Sequence, residues 1–164
     1  MDKETIEKFD LRQFVKSWLL PLAAEIAILL VIFNFVINIT YVPTGSMIPT
    51  ISEHSVLISL REYNTDELQR GEIYSFHSDE LGKTLIKRLI GLPGETVRIE
   101  GNGNIYINDV RLDEPYVKNQ EYGYTGTFEV PEGCYFFLGD NRSGSSDARY
   151  WDNPYICLLY TSPS

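Results

Sequence analysis

The sequence predicts a mainly β protein, two small antiparallel β-sheets tethered by one N-terminal transmembrane helix. Two observations predict it. Residues 18–39 form a single apolar stretch of membrane-spanning length, and beyond Thr40 the chain breaks into short β-like runs separated by turn residues.

The apolar stretch reads WLLPLAAEIAILLVIFNFVINI. A hydrocarbon core about 30 Å thick is crossed by a helix of about 20 such residues. Pro21 falls in the first turn, where a missing N–H is tolerated. Glu25 is expensive in lipid, yet it lies near the start of the stretch, within reach of a partial snorkel or a partner. Asn34 and Asn38 lie near the end. No polar face recurs at helical period, as it would in a helix packed on a soluble core. Lys3, Lys8, Arg12 and Lys16 precede the stretch, and the next Lys or Arg is Arg61. The positive-inside rule therefore predicts a single-pass protein with a cytoplasmic segment 1–17, an anchor 18–39 and an extracytoplasmic remainder. The long basic lead-in and the lack of an A-x-A site after the apolar run predict an anchor that is retained rather than cleaved.

Strands are predicted at 55–60, 72–76, 84–90, 96–100, 104–107, 127–130 and 134–138. Between them stand Arg70-Gly71, Leu92-Pro93-Gly94, Gly101-Asn102-Gly103, Asn108-Asp109 and Pro131-Glu132-Gly133, all turn formers. Only residues 65–69 offer a helical turn. The chain of 164 residues, 43% apolar, suffices for one packed domain plus an anchor. Its formal net charge of −9 argues against a nucleic-acid partner, which needs a basic face. Cys134, in the apolar run Cys134-Tyr135-Phe136-Phe137-Leu138, reads as a core residue, and its spacing to Cys157 does not require a disulfide. His54 and His77 lack metal-ligand spacing, so no metal is expected.

Three segments carry candidate chemistry. Ser46 lies in Tyr41-Val42-Pro43-Thr44-Gly45-Ser46-Met47-Ile48-Pro49-Thr50, held out of regular structure by two prolines and a glycine. Alone it reads as a loop serine, because a hydroxyl is a poor nucleophile unless a base takes its proton. Neither histidine has a supporting motif. A lysine can serve instead where burial lowers its pKa. Lys87 lies in Thr84-Leu85-Ile86-Lys87-Arg88-Leu89-Ile90-Gly91, where alternation puts Lys87 and Leu89 on one face of a strand and Ile86 and Arg88 on the other. The plain alternative is an edge-strand lysine facing water. The third segment, residues 139–151, is a loop dense in hydrogen-bonding groups after an apolar strand. Its Asp147 and Arg149 are placed to pair, and its plain alternative is a solvated turn.

As an ordered set these segments resemble the bacterial type I signal peptidases, Ser/Lys peptidases of family S26. The serine box is similar to Gly45-Ser46-Met47-Ile48-Pro49-Thr50. A strand box follows as Gly71-Glu72-Ile73-Tyr74-Ser75-Phe76, with Glu72 where Asp is usual. The lysine box is similar to Lys87-Arg88-Leu89-Ile90-Gly91-Leu92-Pro93-Gly94-Glu95. The last box is Gly139-Asp140-Asn141-Arg142, then Ser145, Asp147 and Arg149, with Ala148 where Ser is frequent. The resemblance covers residues 10–156. It implies a signal peptidase/LexA-like fold, no cofactor, and cleavage of secretory pre-proteins after Ala-x-Ala-like sites at the face of the lipid bilayer. Ser46 would be the nucleophile and Lys87 the general base. The Ser46 N–H and the Thr44 hydroxyl would form the oxyanion hole. Ser145 would orient the lysine, Asp147 with Arg149 and Asp140 with Arg88 would pair in support, and Met47 would line the shallow substrate pockets. Ser46 lies seven residues past Ile39, at most about 25 Å even fully extended, which would keep it near the membrane surface.

Two other readings compete. A LexA-type self-cleaving Ser/Lys protease shares fold and residues, but the anchor argues against it. A non-catalytic membrane-tethered β-domain that binds an exported partner would not need every catalytic position filled. The final residues, Cys157-Leu158-Leu159-Tyr160-Thr161-Ser162-Pro163-Ser164, resemble the translation of a transposase-type sequencing adapter. The natural sequence is therefore expected to be represented only to about Ile156, with 40–156 as a C-terminally truncated peptidase domain and 157–164 as foreign residues.

Overall fold

The computed structural model describes residues 11–60 and 68–157. The helical turn expected at 65–69 falls largely outside them. The described residues divide into two compact units, one built on 11–39 and 58–60, the other on 40–57 and 68–157.

In the first unit a helix, α1, runs Leu11–Phe35 and is long and apolar enough to cross a membrane. It includes a π-helical stretch, Val15–Leu19, that ends two residues before Pro21. This proline lies inside the helix rather than in its first turn as expected, and its ring and missing N–H interrupt regular i→i−4 pairing. Apolar side chains along it are exposed, Trp18, Leu22, Ile28 and Phe33 among them. The helix begins earlier than the apolar stretch 18–39 and also ends earlier. The Val36 N–H bonds the Ile32 carbonyl, and Ile37–Tyr41 is already a strand, β1. The β-branched Ile37, Ile39 and Thr40 and the aromatic Tyr41 favour extended backbone once helical pairing stops. Strand β1 forms a two-stranded sheet with β2, Val56–Leu60.

In the second unit two four-stranded antiparallel sheets share one core. The first has the order β10-β9-β4-β3, from β3 (Ile73–Ser78), β4 (Lys83–Gly91), β9 (Cys134–Leu138) and β10 (Tyr155–Cys157). The second has the order β7-β6-β5-β8, from β5 (Thr96–Ile99), β6 (Ile105–Ile107), β7 (Val110–Arg111) and β8 (Gly126–Glu129). The mainly β architecture with small antiparallel sheets is as expected, with a third, two-stranded sheet in addition. The β6–β7 turn is Asn108-Asp109, both at positive φ, where a short polar side chain tolerates the left-handed region.

The core draws on both sheets: Leu89, Ile90, Phe136, Phe137 and Leu138 from the first, Val97, Ile99, Ile105 and Ile107 from the second. At the end of β4 the pairing with β9 slips one residue between Leu89 and Gly91. A Cβ on Gly91 would lie 2.6 Å from Val97 Cγ2 and 2.9 Å from Val130 Cγ2, so only glycine lets the chain pass here. A second, smaller cluster joins Val42, Met47 and Ile86. Cys134 is buried as expected, but it is disulfide-bonded to Cys157 (Cα–Cα 4.0 Å), because β10 places the two directly opposite each other.

Candidate active site

The Ser46 loop leaves β1 and returns to β2. Its mouth is closed by the Val42 N–H on the Ser55 carbonyl and the His54 N–H on the Val42 carbonyl. Inside it the Ile48–Pro49 peptide is cis, and Met47 anchors the turn in the smaller apolar cluster. A Cβ on Gly45 would meet Ile48 Cδ1 at 2.8 Å, so glycine allows this tight packing. The result presents Ser46 in a buried position, 8% exposed.

Lys87 reaches it from the middle of β4. Leu85, Leu89 and Ile90 belong to the main core and Ile86 to the smaller one, so the amine is delivered among aliphatic side chains. Lys87 is 3% exposed, and its Nζ donates to Ser46 Oγ at 2.7 Å. Burial pushes the Lys87 amine down to about 8, with the Asp147 carboxylate opposing and the Lys83 and Arg149 charges assisting. The Thr44 hydroxyl lies 3.5 Å from Ser46 Oγ, on the same loop.

The segment after β9 holds this pair in place. The Asn141 N–H donates to the Ser46 carbonyl at 3.0 Å, and Asn141 Nδ2 donates to the Gly45 carbonyl at 2.9 Å. A Cβ on Gly139 would lie 2.6 Å from the Ser46 carbonyl oxygen and 2.2 Å from Ser145 Oγ, so Gly139 is what permits the close approach of the two loops. Asp140, fully buried, receives Arg88 Nε at 2.7 Å, Arg88 Nη2 at 2.5 Å and the Thr50 hydroxyl at 2.5 Å. Asp147, also fully buried, receives Arg149 Nε at 2.7 Å, Arg149 Nη2 at 2.8 Å and the Gly139 N–H at 3.0 Å. Both are bidentate guanidinium–carboxylate pairs, the geometry that fixes orientation as well as charge.

The structure thus brings together Ser46, Lys87 and Thr44, and forms both expected ion pairs. It departs from expectation at two residues. Ser145 is buried, but its Oγ finds no hydrogen-bond partner among the described residues. The expected bond to the Lys87 amine is not made, because that amine is turned onto Ser46 Oγ and Ser145 Oγ is packed against Gly139. Met47 is fully buried between Val42 and Ile86. It is a core residue here rather than an exposed pocket wall, since a flexible apolar side chain beside an apolar cluster is withdrawn from water.

Other residues at the site carry no role in the sequence reading. Arg142, 2% exposed, donates to Glu114 through both terminal nitrogens, at 2.6 and 3.2 Å. Tyr116 stacks on the Arg88 guanidinium, 3.8 Å from ring centroid to Cζ. Glu121 takes Arg149 Nη1. The sequence signal of Glu114, Tyr116 and Glu121 is weak, because they lie in an irregular segment between β7 and β8 with no periodicity to mark an inward face.

The model of the family described as signal peptidase, peptidase S26, matches residues 15–156. A probable signal peptidase I-2 of Synechocystis sp. is 38% identical over 125 residues, 72% of this chain and 57% of that protein. A signal peptidase I of Leptolyngbya laminosa is 36% identical over 136 residues, 77% of this chain and 66% of that protein. The signal peptidase IB of Staphylococcus aureus is 30% identical over 158 residues, 85% of this chain and 82% of that protein. Among solved structures, a signal peptidase I from Enterococcus faecalis is 40% identical, with a TM-score of 0.48 over 56% of this chain and 90% of that one. The chain spans about three fifths of the length of the first two relatives. From its matched length and from its identity to these relatives, the chain belongs to the S26 signal peptidase family.

Proposed function

We propose that this chain is a type I signal peptidase, a serine endopeptidase that removes N-terminal signal peptides from exported pre-proteins after Ala-x-Ala-like sites. The observation that carries the proposal is the contact of a buried, pKa-lowered lysine with a loop serine, Nζ to Oγ 2.7 Å. As Ser46 Oγ attacks the scissile carbonyl, its proton passes to neutral Lys87 Nζ. The oxyanion is met by the Ser46 N–H and the Thr44 hydroxyl. The tetrahedral adduct collapses, the C–N bond breaks, and Lys87 returns the proton to the leaving amine. Water, deprotonated by Lys87, then attacks the acyl-serine ester, the bond from the carbonyl carbon to Ser46 Oγ breaks, Lys87 returns the proton to Oγ, and the signal peptide leaves with a new C-terminal carboxyl group. Every proton moves through one amine, and no cofactor is required.

Helix α1 is the membrane anchor in this reading, crossing once. Its basic flank of Lys3, Lys8, Arg12 and Lys16 would stay in the cytoplasm and the catalytic unit outside. Substrate and enzyme then share the bilayer, which confines the search to two dimensions.

Cleavage of a model pre-protein with an Ala-x-Ala site, in detergent, tests the proposal beside Ser46→Ala and Lys87→Ala. Both variants are expected to fold and to lose at least about 10³-fold in kcat/KM. Equal cutting by a folded Lys87→Ala variant would sink the Ser/Lys mechanism. Absence of cutting by the folded wild type, at any pH from about 6 to 10, would sink the peptidase reading itself.

A further inference from the structure

Fourteen residues, 112–125, separate β7 from β8 without helix or strand, and none belongs to the four sequence boxes. The segment is tied at one end to β6, by the Leu112 N–H on the Ile105 carbonyl, and at the other to the β5–β6 turn, by the Gly123 N–H on the Gly101 carbonyl. Between those ties it touches each of the three buried arginines that surround the site. Tyr116 stacks on Arg88, Glu114 takes Arg142 through both carboxylate oxygens, and Glu121 takes Arg149. Tyr116 also donates to Glu114 at 3.0 Å, which joins the first two contacts into one unit.

We infer that this segment is a positioning strap for the nucleophile, with Glu114 as its principal positioning residue. The inference rests on the reading of Ser46 and Lys87 as the reacting pair. Two relays run from the strap to the Ser46 loop. In the first, Glu114 fixes the Arg142 guanidinium, Arg142 Nε donates to the Gly139 carbonyl at 2.9 Å, and two residues on the Asn141 N–H holds the Ser46 carbonyl at 3.0 Å. In the second, Asn119 Nδ2 donates to Asn141 Oδ1 at 3.1 Å and Asn141 Nδ2 donates to the Gly45 carbonyl at 2.9 Å. The Asn119 carbonyl also accepts from the Ser143 N–H at 3.2 Å. The two relays converge on the carbonyls on either side of the Gly45–Ser46 link, so they set where Ser46 Oγ stands relative to the Lys87 amine.

Such a carboxylate does more than fill space. Glu114 is 7% exposed at its side chain and Arg142 2%, so the pair is shielded from water and its geometry is held against competing solvent. Without Glu114, Arg142 is free to swing to another acceptor and the Gly139 carbonyl loses its fixed donor. The strap acts on the Ser46 loop through Arg142 and Asn141, so the loss is expected to fall on the chemical step. A misplacement of about 1 Å at a reacting atom costs about 10²-fold in rate.

The test uses the whole 164-residue chain in detergent, with Glu114→Ala, Glu114→Gln and wild type compared in three measurements. Steady-state cleavage of an Ala-x-Ala pre-protein is expected to give a kcat lowered roughly 10- to 100-fold in Glu114→Ala, with KM unchanged. Glu114→Gln, which keeps one acceptor for Arg142, is expected to fall between that variant and the wild type. Hydrogen exchange at the Asn141 amide is expected to speed up in the same order. That readout does not depend on cleavage, so it stands if the wild type fails to cut and the peptidase reading falls. Thermal unfolding gives the folded fraction, and Glu114→Gln keeps the test alive if Glu114→Ala does not fold. A folded variant with wild-type kcat and wild-type Asn141 exchange overturns the inference. So does a kcat that falls only in proportion to the folded fraction, or a change confined to KM.

Discussion

Lys87 and Asp147 are both buried in the same neighbourhood, and the chain treats them in opposite ways. Lys87 makes one hydrogen bond among the described residues, to Ser46 Oγ, and burial outweighs the pull of Asp147 so that its amine drops to about 8. Asp147 receives four donors: the Gly139 N–H, the Arg149 N–H, and Arg149 Nε and Nη2. Asp140 is served similarly by Arg88 and Thr50. On the proposed mechanism, the group that changes protonation in each turnover is kept short of partners. The groups that hold it in place are saturated with them. Reactivity and rigidity are thus separated by how many hydrogen bonds each charge receives, since burial is common to both.

The largest effect that separates the two regions is expected at Asp147. Asp147→Ala leaves the Arg149 guanidinium buried without its bidentate partner, and leaves the Gly139 N–H unpaired. Breaking a buried pair from one side costs about 3–5 kcal/mol. Chemical denaturation of the solubilised chain checks it. A loss below about 1 kcal/mol, the scale of an exposed pair, would mean that the frame is not rigid and would break the comparison.

The opposite sign is expected at Lys87. Its folded value near 8 lies below the ordinary lysine value of 10.5, so between those two values the unfolded chain binds the extra proton. Stability therefore rises with pH across that window, and below about 8 the full penalty is present. At 1.36 kcal/mol per unit, the buried lysine costs the fold about 3 kcal/mol at pH 7. Lys87→Met, of similar length and apolar, is expected to be more stable by up to that amount at pH 7, with the gain shrinking as pH rises from about 8 to 10.5. If Lys87 is the general base as proposed, the same shift governs activity, and the acidic limb in kcat/KM is expected near pH 8. Equal stability of Lys87→Met and wild type at pH 7, or an acidic limb near the ordinary lysine value, would show that the amine is well solvated.

Much of this arrangement is legible in the sequence where the signal is local. The run 134–138 coincides with β9, because an apolar run bounded by Pro131-Glu132-Gly133 and Gly139 admits little else. The Asp147–Arg149 pair spans two residues and can be read directly. The Asp140–Arg88 pair spans 52 and comes only from the family boxes. Strand β1 is hidden because Ile37 and Ile39 continue the apolar stretch of the anchor, and a five-residue strand is too short for its alternation to stand out. Glu114 and Glu121 meet their arginines across 28 residues from within an irregular segment. An acidic residue in a loop reads as solvated until tertiary structure supplies the cation, so pairwise contact at that range leaves no mark on composition or period. Met47 is read from its box as a substrate contact, and only the packing of Ile86 against it reveals a core position.

The smallest effect is expected at Ser145, which separates position from bonding. Its Oγ is buried with no hydrogen-bond partner among the described residues, unlike every carboxylate of the frame around it. A buried hydroxyl without a partner is a cost to the fold, so Ser145→Ala removes that cost along with one small atom. The change in stability is expected to stay within about 1 kcal/mol and to favour the variant. If Ser145 Oγ turns onto the Lys87 amine once substrate is bound, Ser145→Ala will still lower kcat, and the acidic limb of kcat/KM, which reports the free enzyme, will not move. A destabilisation of about 2 kcal/mol would instead mean that the hydroxyl is already bonded in the free protein. Were that partner the Lys87 amine, the contrast between a sparsely bonded amine and a saturated frame would narrow.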